Sequence, residues 1–523
     1  MRHASPLRFC LQPLKYQLQV ELQILGLLDS HLGLLLSSLG SSSSVPSIPS
    51  PHNTTQAQPK MKVKALSRSA DTYLPSRSSD IASVPRNLDP DLHPFEKARE
   101  YTRALNATKM ERMFAQPFIG QLGDGHIDGV YTIAKDPRRL GRVVSGSGDG
   151  EIKHWDVGSR EEAFSVRAHD GIVKGLAYTP EGNILSCAAD KTVKLWDTSS
   201  LSKDPMTMYM GPAAFNSISH HRSDPVFATA SNVVHLWNHN RSAPVSTLEW
   251  GADTINTVAY NQTETSVLAS AGTDRTLILY DTRTTSPLQK LTMQLRVNSI
   301  AWNPMEAFNF AAASEDHNVY IFDMRKLSRA LNVLKDHVAA VLSVDYSPTG
   351  QEIVTGSYDR TVRLWKAREG RSRDVYHTKR MQRVFSTIFT MDSSSVLSGS
   401  DDGNIRIWRS HASSRQHVLT SRERVAQEYR EKLKERYAHM PEIRRIARHR
   451  RVPGVVKKAG GIKRVEEEGA RRKDENRRKH EANSVGSKER VPERKKALLT
   501  SANNLEPIYA VYISKIESLP PWP

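Results

Sequence analysis

A serine or threonine, a histidine and an aspartate, the residue types of acyl-transfer chemistry, recur as sets through the middle of this 523-residue chain. His126, Ser145 and Asp149 form one set, His169, Ser186 and Asp190 a second, and His337, Thr355 and Asp359 a third. His377, Ser398 and Asp402 form a looser fourth. A hydroxyl, an imidazole and a carboxylate in contact would make a hydrolase nucleophile. Yet a triad occurs once per site, whereas each of these sets ends beside an indole, at Trp155, Trp196, Trp365 and Trp408. Recurrence beside a tryptophan favours a structural role in which buried polar groups satisfy one another. Gly146 to Gly150 looks like a phosphate loop, but no Gly-x-x-x-x-Gly-Lys-Ser/Thr pattern exists, and it falls inside one of the recurring turns. Neither a catalytic residue nor a cofactor is expected.

The elements that must position these sets are legible from their spacing. The closing aromatic recurs seven times, at Trp155, Trp196, Trp237, Tyr280, Phe322, Trp365 and Trp408, at intervals of 41, 41, 43, 42, 43 and 43 residues. A period of roughly 40–45 residues ending in Trp-Asp or a variant marks the WD-repeat β-propeller, with four strands per blade. Six copies place an Asp six residues before the aromatic, at Asp149, Asp190, Asp274, Asp316, Asp359 and Asp402. Two β-branched runs around such an Asp, as in Val354 to Trp365, predict a tight hairpin whose turn amides the carboxylate caps. The third copy, Ala228 to Asn238, lacks this Asp and its hairpin is shortened, so blade three is expected to be the least rigid. The last copy supplies only three strands before the sequence turns basic. Phe118 to Leu122 is the candidate outer strand, which would close the ring and remove a free sheet edge. The expected architecture is all-β: a seven-bladed propeller over residues 116–409, preceded by an extension (1–60) and an arm (61–115), and followed by a basic helical segment (410–500) and a divergent tail (501–523).

Two cysteines, Cys10 and Cys187, exclude a disulfide framework, and no zinc or haem spacing is present. The sequons at Asn53, Asn106 and Asn261 are then chance matches. Leu22 to Leu39 is interrupted by Asp29 and His31 and is too short for a transmembrane helix, so no membrane is expected. The first 60 residues, whose acidic side chains are Glu21 and Asp29 alone, are expected to be a translated extension ahead of a second start at Met61, with a transit peptide as the alternative.

Charge is distributed unevenly. Lys and Arg number 74 against 56 Asp and Glu, a net of +18; Arg409 to Thr500 contributes 28 basic and 13 acidic residues, a net of +15. A polyanionic partner for this segment follows. Within it, Thr420 to Glu423 reads as a capping box. Val425, Tyr429, Leu433, Tyr437 and Met440 form a helical stripe expected to pack on the parent domain, and Pro441 should end or restart the helix. Beyond lie Arg444, Arg445, Arg448, Arg450 and Arg451, then Arg471, Arg472 and Lys473, then Arg477, Arg478 and Lys479. They suit a nuclear-localisation signal, a grip on an RNA backbone, or a solvated face. No RRM or zinc-finger signature indicates base reading by a known module.

The flanks carry a family resemblance. Met61-Lys-Val-Lys, Val84 through Glu96, Arg103 through Arg112, and the segment from Leu419 through Arg451 resemble the Sof-type WD-repeat proteins, over about residues 61–480. The resemblance implies a nucleolar factor of the small-subunit processome. Its partners would be pre-ribosomal RNA with its guide small nucleolar RNA particle and the processome proteins, and its role the making of 18S rRNA and the small ribosomal subunit. The resemblance also implies that WD repeats form a hydrogen-bonded tetrad of Trp, Ser or Thr, His and Asp. The competing expectation is a substrate receptor of a cullin-type ubiquitin ligase. Its motif, aromatic-Asp-x-Arg after a blade's third strand, occurs at Tyr280 to Arg283 and Phe322 to Arg325, so Asp281, Arg283, Asp323 and Arg325 are the candidate adaptor contacts.

Overall fold

The computed structural model describes residues 89, 91–198, 204–250, 253–414 and 419–481. The extensions 1–60 and 501–523 lie outside them, as do the side chains of Arg477, Arg478 and Lys479 at the end of the last helix.

Twenty-eight strands form seven four-stranded antiparallel sheets. Blade 1 is β2 (Val130–Lys135), β3 (Arg142–Ser147), β4 (Glu151–Asp156) and β5 (Glu161–Arg167), and the pattern repeats through blade 6, β22 (Val341–Tyr346) to β25 (Ser372–Tyr376). The first strands of the blades touch one another in sequence, and that of blade 7 touches that of blade 1, closing the ring. Because blades stack face to face, their middle strands are buried on both sides and read as continuous apolar runs, such as β16 (Thr276–Asp281). The outermost strands face water and carry charge, as in Glu161-Glu162 of β5.

Blade 7 takes its fourth strand from the other end of the chain. β1 (Phe118–Gln121) pairs with β28 (Ile405–Arg409), Phe118 opposite Trp408. Leu122, fully buried, then enters the core shared by blades 7 and 1, with Val130, Ile133, Trp155, Leu397 and Ile407. Burying such a side chain contributes about 2 kcal/mol, so the closure is held by packing as well as by the ladder.

The signature turn joins the second and third strands. The Asp carboxylate accepts the amide two residues on: Glu151 to Asp149 (3.1 Å) and, each at 3.0 Å, Thr192 to Asp190, Thr276 to Asp274, Asn318 to Asp316 and Thr361 to Asp359. The intervening residue is left-handed, with Lys191, Arg275, His317 and Arg360 at φ 66°, 67°, 70° and 63°. Blade 1 uses Gly150 there, where an added Cβ would strike the His169 carbonyl oxygen.

Among the described residues, four helices flank the propeller: α1 (Glu96–Met113), α2 (Ser421–Arg436), α3 (Pro441–Arg448) and α4 (Gly454–Glu481). The capping box forms, with the Glu423 amide donating to Thr420 Oγ1 (3.3 Å) and the Thr420 amide to Glu423 Oε2 (3.2 Å). Pro441 restarts the chain as the first residue of α3. The helical stripe does not pack on the propeller as expected. Leu433 is buried with Ala104 of α1 and Ile443 of α3, flanked by Tyr437 and Met440, while Val425 and Tyr429 stay exposed. The missing partner was the N-terminal arm, 330 residues away in sequence, whose helix offers Ala104 and Thr108 as a small-residue face.

Candidate RNA-binding and adaptor-docking surfaces

In blades 2 and 6 the sets close as tetrads. His169 Nε2 lies 2.8 Å from Ser186 Oγ and Nδ1 2.8 Å from Asp190 Oδ2, and Trp196 Nε1 donates to the same hydroxyl at 2.9 Å. His337 lies 2.6 Å from Thr355 Oγ1 and 2.9 Å from Asp359 Oδ2, and Trp365 donates to Thr355 at 2.8 Å. Burial pushes both imidazoles down, against the pull of their aspartates. Burial also pushes the Asp359 carboxyl up, but His337 and Arg363 outweigh it and hold it well below the usual carboxylate range. These hydroxyls already accept an indole N–H and pair with an imidazole, which suits tying strands together rather than attacking a substrate.

Two sets depart from that arrangement. In blade 1, His126 Nε2 is 2.6 Å from Ser145 Oγ and Trp155 donates to Ser145 at 2.7 Å, but Asp149 does not reach the ring. His126 Nδ1 is buried without a hydrogen-bond partner, and Glu151 Oε2 stands 3.6 Å from it. Blades 2 and 6 have threonines at the Glu151 position, Thr192 and Thr361, whose hydroxyls steer the Asp toward the His. Glutamate cannot donate in this way, and its charge opposes a second carboxylate. His126, Asp149 and Glu151 also place one potential metal-ligating atom each within 4.8 Å of one another, with the Lys153 ammonium 3.8 Å from Glu151. In blade 7, Trp408 donates to Ser398 at 2.7 Å, but Asp402 is held by Arg406 and Ser400 instead of His377.

Blade three keeps a hydroxyl that the common spacing hides. Trp237 donates to Thr229 at 2.9 Å, eight residues away where the other indoles reach back ten. The hairpin is shorter by two, since Trp237 pairs with Phe227 whereas Trp155 pairs with Val143.

Of the candidate phosphate contacts, Arg444, Arg445 and Arg448 on α3, Arg451 after it, and Arg471, Arg472 and Lys473 on α4 are exposed. Arg450 is not a free contact: its Nε donates to the Arg373 carbonyl (3.3 Å) and its guanidinium sits 3.9 Å from Asp336. It belongs to the joint between the helices and blade 6, where Arg112 also bonds Asp374 at 2.9 Å. A single arginine in a run carries no mark of being spent internally. Lys463, not singled out by the sequence, pins α4 to the propeller, donating to the carbonyls of His337 (2.8 Å) and Lys335 (3.3 Å).

The two aromatic-Asp-x-Arg segments lie at the opposite ends of the strands from α4, on neighbouring blades 4 and 5. Arg283 and Arg325 are 77% and 61% exposed, and each curls back on its aspartate: Arg325 Nη2 is 2.9 Å from Asp323 Oδ2, and Arg283 Nε is 3.5 Å from Asp281 Oδ1. Arg325 also covers the Phe308 ring at 4.3 Å.

Residues 410–498 match the Sof1-like domain, and residues 118–156, 160–197, 286–323, 328–366 and 375–409 match the WD domain, G-beta repeat. The chain is 51% identical over 473 residues to Protein SOF1 of Saccharomyces cerevisiae, covering 85% of this chain and 96% of the yeast protein. The chain belongs to the Sof1 family. Family members matching it include DDB1- and CUL4-associated factor 13 of Dictyostelium discoideum, 50% identical over 77% of this chain and 92% of that protein. The Mus musculus protein of the same name is 47% identical over 83% and 98%. Five repeats match the WD family, and the shortened blade three lies in the stretch between the matched segments. Among the described residues, no helix of this Sof1-family chain is long and apolar enough to cross a membrane.

Proposed function

We propose that this protein is a non-enzymatic scaffold of the small-subunit processome in the nucleolus, acting in pre-rRNA processing to 18S rRNA and in small-subunit biogenesis. In this reading the propeller docks processome proteins, and the Sof1-like domain grips pre-ribosomal RNA and the guide small nucleolar RNA particle. The observation that carries it is the set of exposed cations on α3 and α4, anchored to a rigid ring by Lys463 and Arg450. Such a set supplies phosphate contacts without base reading, which suits an RNA whose path is set by many proteins together. The test replaces Arg444, Arg445, Arg448, Arg471 and Arg472 with glutamate in cells and maps RNA crosslinks. Loss of pre-ribosomal RNA crosslinks and of the protein from pre-ribosomal particles is expected. Normal occupancy with unchanged crosslinks overturns the reading.

A second reading, substrate receptor of a cullin-RING ligase, is favoured by relatives named DDB1- and CUL4-associated factor 13 and by the exposed Arg283 and Arg325. Because these lie on the face opposite α4, adaptor docking and RNA gripping do not compete for surface. Arg283→Glu with Arg325→Glu should abolish adaptor pulldown while leaving RNA crosslinks intact; unchanged pulldown removes this reading.

A further inference from the structure

We propose that the propeller itself carries a second RNA site, for a single-stranded segment, at the channel mouth on the face that α4 crosses. This rests on the RNA-binding reading above and extends it from the helices to the ring.

The argument begins with an asymmetry among equivalent positions. The second residue of a blade's first strand faces its neighbour around the channel. In blades 4 and 5 this is Asn256 and Asn298, whose side-chain amides donate to Val297 and Val341 of the next blade (3.2 and 2.9 Å); Asn216 does the same to Ile255 at 2.9 Å. Three consecutive blade junctions of the seven are thus laced by asparagines. Blades 7 and 1 put Phe385 and Tyr131 at this position, stacked at 4.7 Å between centroids and 8° between planes, and blade 2 puts Lys174 there, 5.2 Å over the Tyr131 ring. The fold holds its ring together without aromatics on one side, so their concentration on the other needs a different reason.

The signature turns show the same bias. The residue before the turn Asp is Gly148, Ala189, Thr273, Glu315 or Asp401 in five blades, and Tyr358 in blade 6. No packing demands this ring: it is 44% exposed, and Arg383 lies 4.3 Å over it. Arg360, in the left-handed turn position two residues on, and Lys379 and Arg380, in the segment leading into blade 7, are exposed. Among the described residues no carboxylate holds any of these four cations. Asp128, Asp401 and Arg383 all act on the Tyr131 ring, so that end carries both signs of charge, whereas Arg360, Lys379 and Arg380 are cationic only. Phosphates would therefore run over the outer cations, with bases turned inward onto the rings. Aromatic planes interleaved with cations are the chemistry of single-stranded nucleic acid binding, tolerant of sequence because every base has a π-face.

The test measures fluorescence anisotropy of a labelled 20-mer oligouridylate with the full-length protein. Tyr358→Ala should weaken binding about 5-fold or more with the salt dependence unchanged, and Tyr358→Phe should bind like the parent, since stacking needs only the ring. Arg360→Glu with Arg383→Glu should weaken binding and reduce the salt dependence. With 4-thiouridine in the RNA, crosslinks should fall on the peptide containing Tyr358. If these variants bind like the parent and no crosslink falls there, while Arg444→Glu, Arg445→Glu and Arg448→Glu together abolish binding, the ring site is wrong and the tail reading stands. Failure of the parent to bind overturns both.

Discussion

Blade 1 contains a substitution whose repair should stabilise the protein. In blades 2, 4 and 6 a threonine two residues past the turn Asp donates its hydroxyl to that carboxylate, at 2.8 Å from Thr192 and 2.6 Å from both Thr276 and Thr361. In blades 2 and 6 the Asp's other oxygen is then free to meet the histidine. Blade 1 has Glu151 instead, and His126 Nδ1 is left buried and unpartnered. Glu151→Thr removes one of two carboxylates facing the ring and supplies the missing donor, so Asp149 should swing onto His126. A hydrogen bond to a charged group contributes about 1.5–3 kcal/mol. The lost partner of Glu151 is Lys153 at 3.8 Å, which retains Glu162 at 3.0 Å, a loss of up to about 1 kcal/mol. The net gain is about 1–2 kcal/mol. With an unfolding entropy of about 2 cal/mol/K per residue over a propeller of this size, that is about 2–3 °C in Tm. Thermal melts and urea midpoints of the full-length protein, read by tryptophan fluorescence, measure it. Asp149→Ala added to Glu151→Thr should erase the gain. A lowered Tm for Glu151→Thr, or a gain that survives Asp149→Ala, would falsify the mechanism.

Other outcomes follow from the same contacts. Burial pushes the His126 and His220 imidazoles down to about 4, so both are neutral when folded, whereas an unfolded histidine titrates near 6.5. Between those values the unfolded chain binds more protons, so stability should be steady above about pH 6.5 and fall as pH drops toward 4; a urea midpoint constant across that window would contradict this. Leu433→Ala opens the small core beneath α1 and should cost that unit about 2–5 kcal/mol. Limited proteolysis should then speed at α1 and α2 while the propeller's tryptophan melt holds, and a common shift of both would refute their independence. Thr229→Val strips Trp237 of its acceptor and should cost about 1–3 kcal/mol in urea unfolding. Hydrogen exchange should find blade three opening before blades 2 and 6, which keep complete tetrads; equal protection would speak against that ranking.

The repeat, the blade count, the turn aspartates and the need for a fourth strand in the last blade were legible in the sequence because they depend on local chemistry repeated at a fixed interval. An Asp that caps its own turn acts within three residues, and a Trp that bonds a hydroxyl ten residues back acts within one hairpin, so residue type and spacing suffice. Family kinship was legible for the same reason, in contiguous stretches on both flanks. Tertiary structure alone decided which side chains are spent on one another. Arg450 looks like its neighbours until Asp336 and the Arg373 carbonyl are brought beside it. The stripe through Leu433 shows an apolar face but not whether the propeller or α1 covers it. Asp149 has the right number in the right turn, and still fails to reach His126, because the charge two residues on competes for the same space. Those outcomes depend on distances between segments far apart in the chain or on competition among several polar partners, and a one-dimensional pattern carries neither.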